Sequence, residues 1–250
     1  MSEATFSIPL EHHLYTSTEG YRTVYASQSL TRETIQQLEE FADNFCQMAH
    51  FSSRSSQFML DQHFCFLSVR RLGTDHAGRP RVCAHTTLFP RQVFVTTPGL
   101  NLLFAQEKLF ARSWDDLDRL IRGLVQEVPS EYLILTDPSH FLSDFQPPDD
   151  RLMRFILSAF IFPHRTTILI GDVRENLGLL TRISLLIPRL TRLMTSVYIG
   201  AHWPSPPDSS ANRFFLLESG KADHYASRGV AVYDTVNKQY YNKLNSSGHP

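Results

Sequence analysis

Cysteine is scarce in this chain: Cys46, Cys65 and Cys83 are the only three in 250 residues. No two stand at C-x-x-C spacing, so nothing reads as a zinc knuckle, and an odd, sparse set suits a reducing cytoplasm better than a disulfide framework. Net charge is lacking as well. At −1 overall, the molecule has no field to steer it toward nucleic acid or an anionic membrane, and neither is expected as a partner. Long apolar runs are also missing. The longest, Phe155 to Phe162, is interrupted by Pro163-His164-Arg165 and falls far short of a bilayer span. Behind Met1-Ser2-Glu3-Ala4 no basic segment leads into an apolar one, so no signal peptide is apparent and a cytoplasmic location is expected. The common catalytic signatures are absent too. Gly171-Asp172 and Gly178 do not make G-x-x-x-x-G-K-[ST], and there is neither G-x-S-x-G nor H-E-x-x-H. The chain is therefore not itself a P-loop nucleotide hydrolase, and no cofactor motif is visible.

What is present is globular: 42% apolar and 20% charged residues, with 18 Phe and 9 Tyr, which suggests extensive packed sheet. Glu11 to Ser17 and Tyr21 to Ser27 alternate around Thr18-Glu19-Gly20, the pattern of a hairpin. Thr31 is a good N-cap for a helix whose Ile35, Leu38, Phe41 or Ala42, Phe45 and Met48 fall on one face as its contact with a sheet. His63 to Val69 and Val82 to Phe89 are strand-like runs joined by a Gly- and Pro-punctuated turn. A third sheet element is expected across Gln92-Val93-Phe94-Val95-Thr96. Leu117, Leu120, Ile121 and Leu124 form a helical stripe behind Ser113-Trp114-Asp115-Asp116, a capping-box spacing with Asp in place of Glu. The order so far is ββαβββα.

Glu131 to Pro148, with Asp137-Pro138 and Pro147-Pro148, reads as a linker. A helix opened by Asp149-Asp150 follows, then a buried strand Thr166 to Asp172, a helix from Asn176 to Ile187, and strands over Leu193 to Gly200, Phe214 to Glu218 and Val230 to Thr235. That succession predicts a βαβ unit. The expected class is α+β, with an antiparallel module over 1–148, a separate α/β half over 149–240 and a flexible tail over 241–250.

The stretch around which the chain is organised is Arg70-Arg71-Leu72-Gly73-Thr74-Asp75-His76-Ala77-Gly78-Arg79-Pro80, the tip of the long hairpin. Gly73 and Gly78 can take positive φ, Asp75 can accept from backbone amides beyond it, and Pro80 fixes φ without donating to a ladder. Two readings stay open: a solvated loop of turn formers, and a partner-contact loop carrying Arg70, Arg71 and Arg79. Arg79 has two readings of its own, a bidentate pair with Asp75 that closes the loop, or an arginine finger reaching a partner's nucleotide site. Elsewhere His12-His13, Asp75-His76 and His85 do not have diagnostic metal spacing. Cys65 and Cys83 would face each other across the hairpin as reduced thiols. A Cys83–His85 hydrolase lacks a third group to orient the base. His12, Asp75 and His85 form the enzyme alternative, a hydrolase of unrecognised type, and an adaptor for a non-GTPase partner is the other.

Two segments look familiar. Leu14-Tyr15-Thr16-Ser17, Gly20-Tyr21-Arg22 and Ala26-Ser27-Gln28-Ser29-Leu30 resemble the opening of the N-terminal domain of bacterial GTPase-associated proteins. Gly73-Thr74-Asp75-His76-Ala77-Gly78-Arg79-Pro80, followed by Ala84-His85-Thr86, resembles that family's G-x-D-x-x-G-R-P motif, with His76 where an aromatic is usual. Leu186-Ile187-Pro188-Arg189 is similar to a later passage of the same proteins, so the resemblance covers most of residues 14 to 235. It implies a cytoplasmic regulatory or adaptor protein of a conflict (defence-like) system that binds a GTPase, with no established active site to carry over; the partner-contact reading of the tip places Arg70, Arg71, Gly73, Asp75, Gly78, Arg79 and Pro80 at the contact. The element order is also similar to a longin module joined to the core of a DENN domain, a pair that regulates small GTPases.

Overall fold

The computed structural model describes residues 7–17, 20–47, 53–74, 77–78, 80–96, 116–129, 142–162, 165–188, 191, 194–200, 212–218, 222–227 and 230–241. They form a mixed α/β molecule built on one large sheet. In chain order the elements are β1 (Ser7–Pro9), β2 (Glu11–Ser17), β3 (Tyr21–Ala26), α1 (Arg32–Gln47), β4 (Ser53–Leu60), β5 (His63–Thr74), β6 (Pro80–Pro90), α2 (Arg91–Thr96), α3 (Leu117–Arg122), β7 (Glu127–Pro129), α4 (Asp150–Ile161), β8 (Arg165–Ile170), α5 (Val173–Leu185), β9 (Thr195–Ile199), β10 (Asn212–Leu217), α6 (Ala222–Ser227), β11 (Ala231–Asp234) and β12 (Gln239–Tyr241). Ten strands lie side by side in the order β12-β11-β8-β10-β9-β4-β5-β6-β2-β3, and β1 pairs with β7 in a separate ribbon. None of the described helices is long and apolar enough to cross a membrane.

The N-terminal half is antiparallel throughout, from β3 to β4. β8, β9, β10 and β11 run parallel in the other half, with β12 added antiparallel at the edge. The two halves were expected as separate sheets on either side of Pro147-Pro148. Instead β4 and β9 pair through Ser55↔Ile199, Ser56↔Tyr198 and Gln57↔Val197. Each would otherwise present a row of unpaired backbone N–H and C=O groups, and pairing satisfies both edges at once. The expected tail begins at Tyr241, which closes β12, and its remainder, 242–250, lies outside the described residues.

Helices cover both faces. On one face α1 places Leu38, Phe41, Ala42 and Cys46 on Tyr15, Phe58, Cys65 and Leu67, and the same apolar cluster runs across the seam to Tyr198, Phe215 and Val232. The N-cap acts as its residue type predicts: Thr31 Oγ1 accepts from Thr34 N at 3.1 Å. The polar side of α1 is used as well, since Glu39 accepts from Thr23 N at 3.1 Å and Asp43 accepts from the Tyr15 hydroxyl at 3.0 Å, tying the helix to the first hairpin. On the opposite face α4 and α5 bury Phe155, Ile156, Phe160, Leu177 and Leu180 against Leu169, Val197, Phe214 and Leu216. Beside them Leu10, between β1 and β2, and Val128 of β7 cap Phe64, Phe66 and Phe89.

Two other expectations change. Gln92 to Thr96 lies in helix α2, not in a strand. Pro90 pairs with His63, the first residue of β5, so beyond it no partner strand is left, and Pro90 has no N–H to extend the ladder. The third strand of the N-terminal half comes earlier, as β4, whose Ser53-Arg54-Ser55-Ser56-Gln57 stretch carries no strand-like apolar pattern. Cys65 and Cys83 do not face each other. Cys65 is opposite Leu88 and Cys83 is opposite Arg70, a register set by the long hairpin, and the three cysteines are buried and not joined in disulfides.

Candidate functional site: the projecting hairpin and the histidines at its base

The β5–β6 hairpin has rungs beyond those its described neighbours share. Among the described residues β4 pairs as far as Ser53↔Arg70 and β2 as far as Thr16↔Cys83, and β5 and β6 continue to Arg71↔Val82 and Thr74↔Pro80 around an irregularity between Arg71 and Thr74. The last rungs therefore form a two-stranded arm with no described strand on either side. Arg71, Gly73, Thr74, Ala77 and Gly78 on it are exposed. Gly73 and Gly78 adopt φ of +123° and +74°, and a Cβ at either would meet nothing within 4 Å. The backbone conformation, not crowding, selects glycine there. Arg70, at the base, donates through Nε to Ser68 Oγ at 2.9 Å. Asp75, His76 and Arg79 lie outside the described residues, and so do both structural readings of Arg79.

Below the arm sits a polar strip on the face opposite α1. Strand alternation puts His12, Leu14 and Thr16 of β2 with Cys83, His85 and Thr87 of β6 on that side. His85 is opposite Leu14 and His12 opposite Thr87, which makes the two rings diagonal neighbours. His12 Nδ1 is 2.9 Å from His85 Nε2, and His12 Nε2 is 2.6 Å from the Val125 carbonyl. A carbonyl only accepts, so His12 Nε2 carries the proton, Nδ1 is an acceptor, and His85 donates to it through Nε2. The exposure of His12 is 0% and that of His85 is 2%. Burial lowers both ring pKa values, and for His85 the nearby His12, His13 and Arg70 lower it further. The pair is neutral and pins the segment between α3 and β7 to the sheet.

His13 points to the other face, where Nε2 meets Thr23 Oγ1 at 2.7 Å, and burial lowers its pKa to about 4 with Glu39 opposing. His12 and His13 thus cannot share a metal ion, and no group of three His, Cys, Asp or Glu among the described residues is placed to hold one. Of the hydrolase set the structure brings together His12 and His85. Asp75 is not described, and Thr74, which precedes it, lies six residues along β5 from Ser68, the register partner of His85, or roughly 20 Å. Rings this deeply buried cannot touch a substrate. Cys83 and His85 do share a face, but burial pushes the Cys83 thiol well up, away from the thiolate that a nucleophile needs. The contact between His12 and Val125 was not readable in the sequence, because it joins residues 113 positions apart.

No protein-family model matches this chain, and no curated protein matches it.

Proposed function

We propose that this chain is a GTPase-associated regulatory or adaptor protein that docks its partner GTPase through the β5–β6 arm. The observation that carries the reading is the arm itself: exposed residues, among them Arg71 and two positive-φ glycines, continue beyond the last rungs that the described residues of β2 and β4 share with the hairpin. Binding residues are disproportionately found on loops held out by a rigid scaffold, as this tip is by the sheet. That the partner is a GTPase follows from the resemblance of Gly73 to Pro80 and of Leu14 to Leu30 to bacterial GTPase-associated proteins. The order ββαβββα, followed by a half with parallel strands, supports the longin-like and DENN-like reading of the two halves. Fold likeness alone does not assign function, so the sequence of the arm bears the weight.

The test is affinity capture from the native host with the full chain as bait, in GDP and in a non-hydrolysable GTP analogue. The proposal expects a GTP-binding protein whose retention changes with nucleotide state. Partners that ignore the nucleotide, or that bind none, would favour an adaptor role for a different class of protein.

A further inference from the structure

A cleft of about 620 Å³ lies far from the arm, between α4 and the β11–β12 hairpin. Its helical wall is a stripe at i, i+3, i+4 and i+7: Arg151, Arg154, Phe155 and Ser158. Its other wall is the cross-strand pair Tyr233 and Tyr240, with Lys238 and Gln239 at the hairpin turn. The cleft opens beside the carboxyl end of the parallel strand β11, the side on which ligands enter open α/β sheets, and its size is that of a small-molecule site.

The lining has two chemistries. Three cations, Arg151, Arg154 and Lys238, are exposed at the mouth, and among the described residues no carboxylate forms an ion pair with any of them. Asp149 caps α4 by accepting from Arg151 N and Leu152 N at 3.0 Å. Inside, Phe155 lies 5.5 Å from Tyr233 and 5.4 Å from Tyr240, centre to centre, making an aromatic wall. The Tyr233 hydroxyl is buried and makes no hydrogen bond of acceptable geometry, although Asp149 is near. Burial, with Asp149, keeps it protonated and so a donor. A buried hydroxyl that lacks a well-formed hydrogen bond and sits beside an open cavity can donate to an acceptor on a ligand. Lys238 adds a further sign, for it holds φ +54°, a conformation that disfavours any residue except Gly, Asn or Asp. The turn around it is braced by Asp234, which accepts from Val236 N at 3.0 Å and Asn237 N at 2.9 Å.

We propose that this cleft binds a nucleoside polyphosphate, with the phosphates on Arg151, Arg154 and Lys238, the base against the Phe155–Tyr240 wall, and an acceptor of the ligand on the Tyr233 hydroxyl. Guanidinium forks match phosphate oxygens two at a time, and aromatic faces take a purine or pyrimidine ring by stacking. The site is independent of the arm and stands or falls separately from the GTPase reading.

Calorimetric titration of the full chain with ATP, GTP, pyrophosphate and the two nucleosides tests it. At least one triphosphate is expected to bind at least about tenfold more tightly than pyrophosphate or its own nucleoside, with affinity falling as salt rises. Arg154→Ala and Lys238→Asn should each weaken that binding about tenfold or more, since each removes a charge-assisted contact. Asn accepts the positive φ, so Lys238→Asn should melt no lower than the wild type. Overturning results are no triphosphate binding at about 1 mM, pyrophosphate binding as tightly as the triphosphates, or affinity unchanged in both variants.

Discussion

Acid should loosen this fold at its histidines. His12, His13 and His85 are all held neutral by burial, so below the ordinary histidine pKa of 6.5 the unfolded chain takes up protons that the folded one refuses. Their contribution to stability is complete above about pH 6.5 and is lost as pH falls through the lowered folded values. For His13 alone, with a folded pKa of about 4, the loss is about 3 kcal/mol across that window. Urea midpoints measured from pH 8 to pH 4 should be flat at first and then fall steeply; a flat profile through pH 5 would mean these rings are solvated. His85→Leu removes the donor to His12 Nδ1 and should cost about 1–3 kcal/mol. Arg79 makes a different kind of prediction. If it is a finger, this protein accelerates its partner's GTP hydrolysis, and Arg79→Ala removes an effect of about 10³ to 10⁵ in rate. Arg79→Lys, which keeps charge and loses the planar fork, would fail with it. A melting temperature lowered by Arg79→Ala, with affinity for the partner unchanged, would instead mark the loop-closing pair with Asp75.

At the scale of elements, what the residues announced and what only the assembled sheet decides separate cleanly. Ile35, Leu38, Phe41 and Ala42 of the α1 stripe, its Thr31 cap and the Asp149 cap of α4 follow from spacing and side-chain chemistry and stand in the structure, while the Phe45 side chain and Met48 lie outside the described residues. Phe41 is 1% exposed and lies against Phe58 at 4.4 Å and Tyr198 at 6.3 Å between ring centres. Phe41→Ala should therefore cost about 3–5 kcal/mol by denaturant titration, and a change below about 1 kcal/mol would deny that this face is core. β4 stayed hidden because its neighbours on both sides, β5 and β9, satisfy its backbone and make its polar side chains tolerable. That tolerance is incomplete: both Gln57 amide atoms are buried without a hydrogen-bond partner. Gln57→Met, similar in shape and without the stranded amide, should raise stability by about 1–3 kcal/mol, read as a shift in urea midpoint at constant slope. α2 misled for the complementary reason. Its β-branched residues have strand composition, but at that point in the chain there is no strand left to pair with.

For the whole molecule, the joined sheet is the feature that no local pattern could supply, since Ser55↔Ile199 and its neighbours link residues 140 to 144 positions apart. The core runs across that seam from Phe41 to Phe215, so heat should unfold both halves in one transition, with the calorimetric and van't Hoff enthalpies equal. Two well-separated transitions would mean that the seam carries little energy. The hairpin, by contrast, was visible in the sequence, and only its register and its rungs beyond those shared with the described residues of β2 and β4 had to come from the structure. Shortening the arm tests the docking claim most directly. Arg71 and Val82 are directly opposed, so residues 72–81 can be replaced by a two-residue Asn-Gly turn that the register accepts. The captured GTPase, loaded with the nucleotide state it prefers, is then titrated into the wild-type and shortened proteins. The shortened protein is expected to keep its melting temperature and to lose at least about a hundredfold in affinity. Equal affinity for the two proteins would contradict the docking claim.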